Sequence, residues 1–470
     1  MPTAVDIDDI QGLLVAGYGH LKAACFVLLE IRDRRAAGAW LGSVAGEVTS
    51  GKERPEARAL NLALTPSGLE KLGLKGDYLL TFSDEFVSGM TTPHRSRILG
   101  DTDENAPEHW RWGGSANPPI DVLLLLYAAD EAQLETIYNA RAAAFGQSGL
   151  RQIEKLQTAL LDVKEPFGFN DGVSQPVIEG LPRTGTPSNT IKAGEMILGY
   201  PNEYELYTDR PRIPRADDPR GILPADTGGS GNHDLGRNGT YLVMRQLEQD
   251  VHGFWQHLDR ATANGDGAGD PAARVKLAAK MVGRWPSGAP LVLAPNRDDP
   301  SLGTANDFGY GHADPYGFGC PVGAHIRRAN PRDSLDPDPG SAGSIALNKR
   351  HRILRRGRAY GSQLTPEEAL ASSGSGEDEH GLYFICLNAN IARQFEFIQH
   401  TWVNNPKFDG LYDDVDPLMG PRGDAGASHT TQGVPVRERV SGLPRFVTTR
   451  GGAYFFLPGI RAIRYLATLG

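Results

Sequence analysis

The feature that most constrains this chain is a short apolar run followed by a stretch of helix formers, repeated at wide intervals in both halves. Ala23 to Ile31 is an apolar, partly β-branched run of buried-strand length. Val122 to Tyr127 (VLLLLY) is a second, and Asp130 to Ala144 after it is helix-forming, with Asp130 as N-cap and Gln133 at capping-box spacing. Gly239 to Gln246 leads into Asp250 to Arg260, and Gly381 to Asn388 (GLYFICLN) into Asn390 to Trp402. In that last helix Ile391, Phe395, Ile398 and Trp402 fall at steps of 4, 3 and 4, one face of an α-helix. Ala453 to Leu457 (AYFFL) reads as a final strand.

Strand-then-helix units in both halves predict a duplicated α+β architecture of antiparallel sheets with peripheral helices, rather than a doubly wound parallel sheet. No GxGxxG or GxxxxGK[ST] follows any of these strands, which removes the usual nucleotide-binding readings. At 470 residues, two domains are expected. Their boundaries are placed at 1–180 and 238–470. The connecting region 181–237 is dense in Pro, Gly, Asp and Arg and is expected to wrap the surface between the halves. The stretch 371–380 (ASSGSGEDEH) reads as a flexible loop.

A formal charge of −9 disfavours nucleic acid as a partner, and no segment is long and apolar enough to span a membrane. Cys25, Cys320 and Cys386 form no CxxC pair, so neither a disulfide framework nor a zinc site is indicated. The acidic opening lacks the charged-then-apolar order of a signal peptide, and a cytoplasmic location is expected.

Three constellations carry candidate chemistry. In Gly168-Phe169-Asn170-Asp171-Gly172, flanking glycines permit a tight backbone that can press an aspartate against a flat ligand, although taken alone Asn-Asp-Gly reads simply as a turn. In Cys320-Pro-Val-Gly-Ala-His325-Ile-Arg327-Arg328-Ala-Asn330-Pro-Arg332, small residues let one histidine approach a metal or a haem face, with arginines nearby to pair with propionates. Alone, His325 reads as a satisfied structural histidine. Lys349-Arg350-His351-Arg352-Ile-Leu-Arg355-Arg356-Gly357-Arg358-Ala-Tyr360-Gly361 is strongly basic, and its plain reading is a solvated face.

Taken in order, these segments resemble the dye-decolorizing peroxidases, in particular the larger members without a secretion signal. GFNDG resembles the family's GxxDG motif, GAHIRRANPR the segment with its proximal histidine, and RILRRGRAYG the segment with its distal arginine. Asp8-Asp9-Ile10-Gln11-Gly12, Gly19-His20-Leu21-Lys22 and Arg393 to Gln399 also look like family segments. The resemblance implies two ferredoxin-like halves, with one non-covalent haem b bound chiefly by the C-terminal one. It implies His325 as the iron ligand, Asp171 and Arg355 as the catalytic pair on the peroxide side, and Arg332 as a propionate partner. A carboxylate on the second ring nitrogen of His325 is expected; Glu396 is the candidate by similarity of its helix, with a solvated glutamate as the alternative. Hydrogen peroxide and organic reducing compounds are the expected partners, and dyes or phenols are oxidised in one-electron steps through ferryl iron. The oligomeric state is left open. The alternative is a haem-handling protein of the same fold without peroxidase turnover.

Overall fold

The computed structural model describes residues 4–160, 164–263, 269–371 and 379–470; of the loop expected over 371–380, residues 372–378 lie outside them. The first half contains β1 (Ala23–Ile31), α1 (Arg34–Val44), β2 (Arg58–Leu64), β3 (Val122–Ala128), α2 (Glu131–Phe145) and β4 (Leu150–Gln157). β1 pairs antiparallel with β3 and β4, and β3 with β2, which gives the ferredoxin-like order β4-β1-β3-β2. α2 starts as its sequence dictates: Asp130 accepts the Gln133 N–H at 2.8 Å and the Gln133 side chain at 2.9 Å. β2 and β4, whose polar residues interrupt the apolar pattern, are strands that the sequence reading missed.

The second half repeats the plan with β5 (Thr240–Gln249), α3 (Val251–Ala261), α4 (Pro271–Val282), the short α5 (His325–Ala329), β6 (Leu354–Arg355), β7 (Arg358–Tyr360), β8 (Gly381–Asn388), β9 (Val447–Leu457) and α6 (Ile460–Ala467). β5 pairs antiparallel with β8 and β9, and β8 with β6 and β7, so the order is again the ferredoxin-like one. The two sheets meet where Phe456 of β9 pairs with Leu64 of β2, making one nine-stranded sheet. Both halves are therefore ferredoxin-like, as expected.

One face of this sheet is covered by α1, α2 and α6, with Leu41, Leu134 and Ile463 buried in a core that also takes in Tyr241, Val243 and Phe456 of the second half. The opposite face packs against the N-terminal segment around Leu13 and Tyr18 and against Met196 and Ile197. The connecting region is thus not only a surface wrap, since Met196, Ile197 and Leu198 are fully buried.

Asn390 to Trp402 departs from the expected α-helix. Ala392–Glu396 and Ile398–Val403 are wound as π-helix, with the Glu396 N–H donating to Ile391 O and the Asn404 N–H to Gln399 O. The wider winding re-aims the side chains. Phe395, Ile398, Gln399 and Val403 face a cavity, while Ile391 and Trp402 join separate cores.

Candidate active site: a cavity between His325 and the Asp171–Arg355 pair

On the helix-bearing side of the sheet, the second half encloses a cavity of about 260 Å³ between β5, β8 and β9 on one side and α5 and the π-helical run on the other. Its walls are largely apolar, with Leu247, Leu382, Phe384 and Val447 from the strands and Ile326 and Ile398 from the helices. His325, Asp171, Arg355 and Arg332 all line it.

His325 opens α5. Its Nδ1 lies 2.9 Å from Asp416 Oδ2. Oδ1 of Asp416 accepts the N–H groups of Leu418 and Met419, each at 2.9 Å, and the carboxyl group is wholly buried. Burial pushes the Asp416 carboxyl up, but His325, the Met419 amide and nearby Arg328 more than offset it and bring it down to about 2. Burial lowers His325, and the Asp416 carboxylate outweighs that and raises it. With Nδ1 committed to Asp416, Nε2 is the ring nitrogen left for a metal.

The carboxylate beside His325 is therefore Asp416, not Glu396. Glu396 accepts from Arg95 at 2.6 Å and from the Tyr454 hydroxyl at 2.8 Å, in a buried network behind β9. The π-helical winding turns it away from His325. Asp416 stands 91 positions beyond the histidine, and no spacing in DDVDPLMG marks it; only its place as the acceptor of a Pro-Leu-Met turn distinguishes it.

Asp171 and Arg355 come from segments 184 positions apart and meet at 2.6 Å. Gly168 and Gly172 adopt φ of 96° and 77°, the left-handed turn that the glycines were expected to permit. Arg355 lies in β6, and its backbone N–H donates to Gln175 Oε1 at 2.9 Å, which fastens the two segments together. The Asp171 side chain is 46% exposed, and what it is exposed to is the cavity. Burial by the surrounding walls raises its carboxyl, but Arg355 beside it and the Gly172 N–H hold it below the usual carboxylate range.

The basic segment is not a solvated face. Arg356 and Arg358 turn inward to the carbonyls of Leu13, Leu14, Tyr18 and Leu21 and bind the N-terminal segment to the sheet. Arg352 reaches the cavity instead, where it joins Arg284 and Arg332. Arg332, at φ 58°, donates to Asn306 Oδ1 at 2.7 Å and to Phe308 O at 3.0 Å. Arg284 donates to Gly288 O and Ala305 O, and one of its terminal nitrogens is buried without a partner. None of the three makes an ion pair among the described residues. Burial and the neighbouring cations pull Arg284 down to about 10 and Arg352 to about 9. Three walled-in guanidinium groups without a carboxylate are costly unless an anionic ligand meets them. A flat apolar molecule with carboxylate arms fits these walls and these cations.

The family signature described as "Dyp-type peroxidase, C-terminal" matches residues 339–424, which include Arg352, Arg355, Glu396 and Asp416. A dye-decolorizing peroxidase of Mycena epipterygia is 31% identical, over 99% of this chain and 87% of that protein. This chain belongs to the dye-decolorizing peroxidase family. A multifunctional dye peroxidase of Amycolatopsis is 32% identical over 98% of this chain and 96% of its own length. A dye-decolorizing peroxidase solved in complex with 2,6-dimethoxyphenol superposes with a TM-score of 0.79 at 25% identity, covering 98% of this chain and all of that one. Dye-decolorizing peroxidases are haem enzymes, and the cavity is where this one has room, charge and a histidine for that group. Arg284, Arg352 and Asp416 are the site residues that sequence reasoning missed. The first two lie in motifs of no special spacing or in a run dominated by structural arginines.

Proposed function

We propose that this peroxidase reduces hydrogen peroxide and oxidises phenolic and other organic compounds, dyes included, with one non-covalent haem b per chain seated between His325 and the Asp171–Arg355 pair. The single observation that carries the reading is that pair. Two groups suited to peroxide cleavage, far apart in sequence, are brought to 2.6 Å in the same cavity that His325 lines.

Bound haem would supply the redox-active iron, and the residues of the chain supply the rest. His325 Nε2 is the proposed ligand, and the buried Asp416 charge makes its imidazole a stronger donor. Arg284, Arg332 and Arg352 are the proposed partners of the propionates. Across the cavity from His325, Asp171, held ionised by Arg355, would take a proton from one oxygen of hydrogen peroxide. It would return that proton to the other oxygen, which would leave as water as the O–O bond breaks, with the two electrons that the haem would supply. The Arg355 guanidinium places a fixed positive charge where the departing oxygen gathers negative charge. Phenols fit as electron donors because they surrender one electron and one proton at a time.

The three cysteines are buried and free, which fits a reducing compartment, and we place the protein in the cytoplasm. No described helix is long and apolar enough to cross a membrane. The test is optical. Reconstitution with haem should give a Soret band, hydrogen peroxide should change it within seconds, and 2,6-dimethoxyphenol should restore it. A Soret band that peroxide leaves unchanged overturns the peroxidase reading in favour of haem handling.

A further inference from the structure

One carboxyl group in the cavity wall has no part in the chemistry above. Glu165 lines the cavity six positions before Asp171, at the start of the turn that carries it. Its backbone closes that turn at both ends. The Glu165 N–H donates to Phe169 O and the Gly168 N–H to Glu165 O, each at 2.8 Å. Its side chain folds back over the same turn. Oε2 accepts the Phe167 N–H at 3.0 Å, and Oε1 the Phe169 N–H at 2.9 Å. Nε2 of Gln249, at the end of β5, donates to Oε2 at 2.9 Å, which ties the turn to the sheet. Oε1 of the same Gln249 is buried with no partner.

Three N–H donors aimed at one side chain favour the carboxylate, because protonation turns one of its acceptor oxygens into an O–H donor and weakens what that oxygen accepts. A proton on Oε2 would face the Phe167 N–H and Gln249 Nε2 donors that this oxygen accepts from, and one on Oε1 the Phe169 N–H, so protonation weakens the hold on the turn. The rest of the turn is anchored independently, with Phe167 packed at a tilt against Phe254, ring centroids 4.4 Å apart, and the Asn170 side chain donating to Ser287 O. The change would therefore be a slackening of the turn rather than its loss.

We propose that Glu165 is a positioning residue for Asp171: its ionised carboxylate holds the 165–171 turn in the shape that brings Asp171 onto Arg355, and its protonation slackens that turn. The inference rests on the reading of Asp171 as the proton shuttle. The protonation falls in a working range. Burial pushes Glu165 up to about 7, against the opposing pull of Gln249 and the two amides and with help from the Asp171 charge. The other charged groups of the cavity are turned to partners of their own: Arg355 to Asp171, His325 to Asp416, Arg245 to Asp101, and Arg284, Arg332 and Arg352 to carbonyl oxygens. None of them pairs with Glu165.

The test uses the haem-loaded enzyme and three chains: wild type, Glu165→Gln and Gln249→Leu. Infrared difference spectra from roughly pH 5 to 9 should show a protonated-carboxyl band titrating near neutrality in the wild type. The band should be absent in Glu165→Gln. Its midpoint should move up by about one unit in Gln249→Leu, which removes one charge-assisted donor. The peroxide reaction, followed by stopped flow, should track that titration in the wild type and be faster in the ionised form. In Glu165→Gln it should lose the inflection and be roughly tenfold slower at pH 8, within what misplacing a proton shuttle costs. A wild-type pH profile for the peroxide step in both variants overturns the inference, as does a Glu165 band confined to the ordinary carboxylate range. Asp171→Asn separates the two readings. If it slows the peroxide step while Glu165→Gln does not, only the positioning role fails; if it leaves the rate unchanged, the site reading fails first.

Discussion

The two halves of this molecule have the same strand order and opposite uses. In the first, α1 and α2 close directly on the sheet, and Ala37, Leu41, Leu134 and Phe145 fill the interface. In the second, the corresponding face is left open between β5, β8 and β9 and the helices beyond them, and a few charged groups converge on an otherwise largely apolar gap. The contrast shows how a fold acquires a site without changing its topology. A long insert between α3 and β6 carries α4 and α5 out over the sheet, opposite the π-helical run that directly follows β8, and a buried arginine ties the two together. Arg328 alone bonds Gly323 O, Trp402 O and Asn405 O, so the segment with His325 and the run facing it are held by one side chain. In the first half side chains provide the packing; in the second they leave room for the proposed haem.

That contrast can be broken or sharpened by substitution. The largest effect is expected at His325. His325→Ala removes the proposed iron ligand, and haem content after reconstitution should fall by more than the roughly 10–100-fold that loss of an outer-sphere partner costs. A normal Soret band in that variant would put the ligand elsewhere.

Next come the groups on the opposite face. Asp171→Asn should slow the peroxide step by about 10²–10⁴-fold and Arg355→Leu by about 10²–10³-fold, both with near-normal haem content. The pH dependence has a definite sign. Asp171 lies below the usual carboxylate range, so the base form persists as pH falls and is lost only below the unperturbed value of about 3.9. Arg355 is the main cause of that depression, so Arg355→Leu should move the acid limb of the rate profile upward. An unmoved limb would break the electrostatic coupling of the pair.

In the first half, Leu41→Ala should cost about 2–5 kcal/mol by equilibrium urea unfolding, because it empties a closed interface, and should leave the haem spectrum and peroxide kinetics unchanged. Altered peroxide kinetics would mean that the halves are coupled more tightly than their separate uses imply.

The two carboxylates near the π-helical run should separate most finely. Asp416→Asn should weaken haem binding by about 10–100-fold and raise the iron reduction potential, because the imidazole loses its anionic partner. Glu396→Gln should change neither, and should cost only about 1–3 kcal/mol of stability through Arg95 and Tyr454. A shifted potential in Glu396→Gln with none in Asp416→Asn would reverse the assignment.

The strand runs around Phe26, Leu124, Val243 and Ile385 were legible in the sequence because an apolar run of strand length has few other ways to be buried. Asp171, His325 and Arg355 were legible through motifs in which local backbone needs, such as glycine beside Asp171, leave a mark within a few residues. β2 and β4 were not, because a strand with polar positions carries no strong periodicity of its own and is decided by its neighbours. Asp416 in place of Glu396, the turn of Arg352 into the cavity while Arg356 and Arg358 bond carbonyls, and the grip of Glu165 on its turn were settled only in three dimensions. The reason is the same in each case. A local motif fixes which groups are present and the shape of the chain beside them. Which buried donor meets which buried acceptor depends on segments tens to hundreds of residues away, and on a helix whose winding the sequence pattern alone does not reveal.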